Sequence, residues 1–285
     1  MFRNLFRSGY VVAAVLSALL TLSCAGGKKG DVNAFVSDSS DTVRDSMKMD
    51  SVDSVMDATP VPKAADEFFN DFIFSYTTSR RYQFARTVFP LPFIHGGDTT
   101  YIPRNKWKFT RLHTREAVFT VFFDAKKSLD LQKDRKVSVV KIEWFFMKTR
   151  KVHDLFFSKL NGEWRLRSVT EYPLDNYHDK DFITFYQRFA TDSAYQREHL
   201  NSEITFNAPD PEDDFERMEG VITGEQWPSF CPELPRDVFT NIEYGQKMKL
   251  SKRRVVALEG SSNGFQCLLF FRRAGNGWTL YRLEN

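Results

Sequence analysis

Two segments of this chain carry nearly the same pattern: FFSKLNGEWRLRSV from Phe156 to Val169, and FFRRAGNGWTLYRL from Phe270 to Leu283. Each reads as two alternating strands around a tight turn, and Asn161-Gly162 supplies the positive φ angles that a two-residue hairpin needs. Phe156 falls on Phe270, Phe157 on Phe271, Trp164 on Trp278 and Leu166 on Leu280, all at an offset of 114. The stretch from Glu67 to Ser79 lines up with Asp181 to Ser193 at that same offset, and Trp107 finds its counterpart, Trp227, six residues further on. An opening helix and a closing hairpin in one register point to duplication of a unit of roughly 105 residues, long enough to own a core.

The intervening sequence supplies the rest of the unit. Phe68, Phe69, Phe72, Ile73 and Tyr76 recur at three- and four-residue spacing, which predicts a helix with one apolar face. A second helical stretch, SRRYQFARTVF, stops at Pro90. Then come strand-like runs, EAVFTVFFDA, KVSVVKIEWFFM and KVHDLFFSKL. With 42% apolar residues and 28 phenylalanines, the chain has material for aromatic cores packed on sheets.

The N-terminus is of another kind. Arg3 and Arg7, an apolar run from Tyr10 to Leu22 and small residues around Cys24 describe an export signal over residues 1–23. TLSC resembles a lipoprotein processing site in which Cys24 becomes the lipidated first residue; the other reading is an ordinary cleaved signal. Residues 24–62 are rich in Ser and Asp and poor in aromatics, the composition of a flexible tether. The expected location is the cell envelope, on the periplasmic or outer-membrane face, with the lipid anchor as the membrane partner.

Losing Arg3 and Arg7 lowers the formal charge from +3 to +1, which gives no electrostatic case for nucleic acid. Local basic clusters remain, KKSLDLQKDRK and SKRR; they read as solvated turns, or as a partner surface if both project from one rim. Cys231 and Cys267 either form a disulfide or serve as small core residues. No metal-ligand spacing occurs, and no cofactor is expected.

Helices followed by long strands that end in NGxWxLxxV resemble the nuclear transport factor 2-like, or cystatin-like, fold, over residues 66–172 and again over 180–285. Joined to the signal, the arrangement is similar to a family of uncharacterised envelope lipoproteins of Gram-negative anaerobes, a domain of unknown function. The resemblance implies an α+β chain of two tandem domains, 63–174 and 178–285, each with helices on a curved antiparallel sheet that forms a cone. Catalytic relatives place an Asp, Tyr or His inside that cone.

Candidate chemistry is sparse. His113, Glu143 and His153 are polar residues in or beside strand-like sequence, but His153 and Asp154 are strand neighbours that point to opposite faces. Trp107, Trp144, Trp164, Trp227 and Trp278 either line a cone mouth or anchor the hairpins. The expected role is non-catalytic binding of a small molecule or protein; the alternative is an isomerase- or hydratase-like enzyme using the first cone.

Overall fold

The apolar stripe of the opening segment forms α1 (Phe69–Thr78), and Ser79 caps the short α2 (Arg80–Ala85) by accepting a hydrogen bond from the Tyr82 amide at 3.2 Å. The structure, a computed structural model, describes residues 66–112, 118–210, 213, 216–245, 251–260, 265–275 and 277–285. The export signal, Cys24, the tether and His113 lie outside the described residues.

After α2 come β1 (Leu91–His95), β2 (Asp98–Ile102), β3 (Val118–Phe123), β4 (Val139–Phe146), β5 (Lys151–Leu160) and β6 (Glu163–Pro173). The second half follows with α3 (Lys180–Thr191), α4 (Ser193–Glu198), β7 (Leu200–Pro209), β8 (Arg217–Thr223), α5 (Trp227–Phe230), β9 (Val238–Glu243), β10 (Arg253–Gly260), β11 (Gln266–Ala274) and β12 (Gly277–Glu284). Short 3-10 turns cover Arg104–Lys106, Lys126–Lys133 and Leu174–Asn176.

The hairpins form as their sequence predicts. Asn161 and Gly162 hold φ angles of 52° and 82° between β5 and β6. The ladder shifts register between Phe156 and Phe157, and the β11–β12 ladder shifts at the same repeat position, between Phe270 and Phe271. Such bulges bend a sheet, so the duplication extends to the residues that curve it.

The strands make two six-stranded sheets with orders β2-β1-β6-β5-β4-β9 and β3-β10-β11-β12-β7-β8. They are mixed rather than antiparallel, because β1 pairs parallel with β6 and β7 parallel with β12. A hairpin forces antiparallel pairing only on strands joined by a tight turn; β1 and β6 meet across most of a repeat and escape that constraint.

Read in repeat order the two sheets are equivalent, except that β3 and β9 have changed places. β3 pairs with β10 in the second sheet, and β9 pairs with β4 in the first. Where the exchanged strands pass, side chains take over the ladder's role. Thr120 Oγ1 accepts from the Thr240 amide at 3.0 Å and donates to the Thr240 carbonyl at 2.7 Å; Thr240 Oγ1 returns both bonds to Thr120 at 3.1 and 2.9 Å. Asn241 Oδ1 satisfies the Phe122 amide at 2.9 Å. Buried backbone polar groups at this junction are therefore paired without a continuous ladder.

Packing follows the exchange. α1 sets Phe69, Phe72 and Tyr76 against Phe157 and Trp164 of the first sheet. α3 sets Phe182, Tyr186 and Phe189 against Phe271 and Trp278, but that core also takes in Phe122, Phe145, Val152 and Phe239. The core around α3 thus draws on both halves, while the α1 aromatics pack separately on Phe157 and Trp164.

Candidate functional site

Alternation along β4 decides what each face can do. Ile142 and Trp144 point to the face that carries α1, whereas Lys141, Glu143 and Phe145 point away from it. The exchanged β9 follows the same rule: Thr240 and Ile242 join the α1 side, and Asn241 and Glu243 the other.

On the α1 side lies a cavity of about 340 Å³. Ile73, Phe74, Ile142, Trp144, Ile242 and Phe119 give it apolar walls, and Asn70, Thr77, Arg111, Thr240, Tyr244 and Glu259 bring polar atoms to them. Both sheets contribute, since Phe119 and Glu259 belong to the second. Tyr244 donates to Asn70 Oδ1 at 3.1 Å, which ties the segment after β9 to α1. Phe74 stays 68% exposed, so an aromatic ring stands in solvent beside the cavity.

Behind the same strands sits a charged cluster. Glu143, fully buried, accepts from the Tyr177 hydroxyl at 2.9 Å and the Asn241 amide at 2.8 Å, and pairs with Lys141 at 2.7 Å. Lys141 also reaches Glu243 at 2.8 Å and Asp154 at 3.6 Å. The Tyr172 hydroxyl donates to Asp154 at 3.1 Å. Burial, reinforced by the neighbouring Glu143, pushes the Asp154 carboxyl up to about 7, with Lys141 and Tyr172 opposing. Burial alone would lower the Lys141 ammonium, but Glu143 and Asp154 raise it well above its usual range.

His153 lies on the opposite face from Glu143, 2.6 Å from Glu171, which is also held by Lys151 at 2.6 Å and faces His95 at 3.2 Å. Burial lowers the His153 imidazole against the pull of Glu171; Glu171 is itself held below its usual value by Lys151 and His153, which outweigh its burial. Glu143 and His153 thus cannot act on one substrate from one face.

The tryptophans divide as well. Trp144 lines the cavity. Trp164 is packed among Phe69 and Phe72, Trp278 lies against Phe182, and Trp227 donates its indole N–H to Gln196 at 3.0 Å. Trp107 is buried with its ring edge-on to Phe89. Cys231 and Cys267 are free thiols, Cys267 within the core around α3 and Cys231 packed against it. Burial pushes them up to about 11 and about 12, with Gln196 opposing at Cys231 and Cys231 adding to the effect at Cys267. Among the described residues, no cluster of three or more His, Cys, Asp or Glu is arranged to hold a metal.

Sequence reasoning missed Thr240, Ile242 and Asn241. Their signal was the tripeptide VFT, which recurs at Val118 and Val238 with the offset of 120 already shared by Trp107 and Trp227.

The family described as a domain of unknown function, DUF4348, matches residues 48–285. The chain is also similar to an NTF2-like protein from Bacteroides fragilis whose crystal structure was determined at 2.15 Å resolution. The identity is 36% and the TM-score 0.73, over 79% of this chain and 98% of that one. No curated protein matches. With its α+β architecture of curved mixed sheets and a match over most of its length, the chain belongs to the DUF4348 family.

Proposed function

We propose that this chain is an exported lipoprotein, anchored in the cell envelope through Cys24, whose folded part is a tandem pair of NTF2-like cones. The first cone binds a small, mainly apolar molecule without transforming it. The observation that carries this reading is the cavity of about 340 Å³ between α1 and the β4–β9 pair. Its size falls at the lower end of small-molecule sites, roughly 300–1,000 Å³, and its apolar walls with a few polar atoms match their usual lining. Binding is favoured over turnover because the Glu143 carboxylate faces away from the cavity and is already engaged by Tyr177, Asn241 and Lys141. On the α3 side of the second sheet, Phe182, Tyr186, Phe189 and Trp278 are packed into the core.

The test is titration of the purified chain with the apolar fluorophore 1-anilinonaphthalene-8-sulfonate. Saturable one-to-one binding is expected, with quenching of Trp144 that disappears in Trp144→Phe. Thr77→Trp, which fills the cavity, weakens binding by about tenfold or more, the scale of losing one or two buried methylene groups of contact. Binding that does not saturate, or that ignores Thr77→Trp, would refute the cavity as the site.

A further inference from the structure

The cavity beside α1 holds one charge that its apolar walls do not explain. Alternation along β10 puts Val255, Ala257 and Glu259 on one face, and the ladder sets them across from Phe123, Val121 and Phe119 of β3. Val255, Ala257, Val121 and Phe123 are buried, and the face opens onto the cavity at its last pair, Glu259 and Phe119. A carboxylate therefore ends a row that is otherwise apolar.

A carboxylate set among apolar side chains is costly unless a cation or good hydrogen bonds compensate it. Here Glu259 is half-buried and accepts one long hydrogen bond, from the Gln132 amide at 3.3 Å; among the described residues no cation pairs with it. Its surroundings suit a cation. Phe74, Phe119, Trp144 and Tyr244 line the same cavity, and the faces of such rings attract positive charge. Glu259 is close enough to Tyr244 to join burial in raising its hydroxyl well above the usual range, with the hydrogen bond to Asn70 opposing. Arg111, the other charged side chain at the cavity, is exposed to solvent.

We infer that the molecule this cavity takes carries a positively charged amine on its apolar body, and that Glu259 receives the ammonium beside the aromatic walls. The inference deepens the binding reading and rests on it. Charge complementarity carries it: the fold brings a carboxylate from the second sheet to an aromatic cavity on the first and supplies no cation of its own to neutralise it.

Calorimetric titration of the purified chain with phenylbutylamine, phenylbutanol and phenylbutyrate tests this, because the three share one apolar body and differ in the charge at its end. The amine is expected to bind about ten- to a hundredfold more tightly than the alcohol, the scale of a hydrogen bond to a charged group, and the acid most weakly. Glu259→Gln keeps the oxygen that accepts from Gln132 and removes the charge; it is expected to lower the amine-to-alcohol ratio about tenfold or more, with an unchanged melting temperature to exclude misfolding. The ranking in the parent protein needs no variant, so it decides even where Glu259→Gln does not fold. A ratio that Glu259→Gln leaves unchanged overturns the inference, and so does tightest binding by the acid, which would assign the charge preference to Arg111. An amine that binds no more tightly than the alcohol, or not at all where 1-anilinonaphthalene-8-sulfonate binds, overturns this inference and leaves the cavity reading standing; silence from all four probes overturns both.

Discussion

At the scale of single residues, Asp154 makes the sharpest prediction. In an unfolded chain its carboxyl ionises near 3.8, whereas in the fold it keeps its proton up to about 7. Between those values the folded state binds the extra proton, so stability falls as pH rises from about 4 to about 7 and the loss is complete above that. Asp154→Asn, which is neutral throughout, is expected to flatten this part of the melting-temperature profile and to be more stable than the parent at pH 8 by about 1 kcal/mol or more. A profile with the same slope in both proteins would show that Asp154 is ordinarily ionised. Glu143 behaves differently because its partners are fixed. Glu143→Ala strands the Tyr177 hydroxyl, the Asn241 amide and the Lys141 ammonium behind the sheet, at a cost of roughly 3–5 kcal/mol in urea unfolding. Glu143→Gln, which keeps the shape, should cost less. The candidates His153 and Glu143 were visible as residue types from the outset; that they face opposite sides follows from the β4–β5 register, which sets Glu143 opposite Asp154 and Trp144 opposite His153, and neither that register nor the side that holds the cavity was legible.

At the scale of elements, the junction of β3 and β9 depends on two hydroxyls that each accept and donate. Thr120→Val or Thr240→Val keeps the shape and removes both bonds, leaving a buried amide and carbonyl of the other strand without that partner. Each substitution is expected to lower unfolding free energy by about 2 kcal/mol in denaturant titration. A loss no larger than that of an exposed Thr→Val control would mean that water replaces the hydroxyls. The β5–β6 turn gives a smaller effect: Gly162→Ala at a φ of 82° has open space around the new methyl and costs about 1 kcal/mol, from backbone strain alone. This turn, the helix stripe of α1 and the paired hairpins were legible in sequence because each is a local pattern. The identity of β9 as a strand of the first sheet was not, since VFTNIE carries an ordinary strand pattern that fits either edge.

At the scale of the whole molecule, the exchange makes the halves mutually dependent. Residues 1–177 expressed alone lack β9 and leave the edge of β4 unpaired; residues 178–285 alone lack β3 and expose the edge of β10. Unpaired edges of this kind associate or aggregate. Each half alone is expected to show no cooperative thermal transition, and co-expression of the two to restore a single one, read by circular dichroism. Two halves that each melt cooperatively would show that the exchanged strands are dispensable. The sequence by itself determined the elements, the duplication, the register of the hairpins and the inward-facing aromatics, because periodicity and turn chemistry are written in neighbouring residues. Only the tertiary structure decided that β3 and β9 trade sheets and that Thr240 and Ile242 complete a cavity with α1. The physical reason is that alternation specifies which face of a strand is buried, while the choice of strand partner depends on pairing between residues about 120 positions apart, which no local pattern encodes.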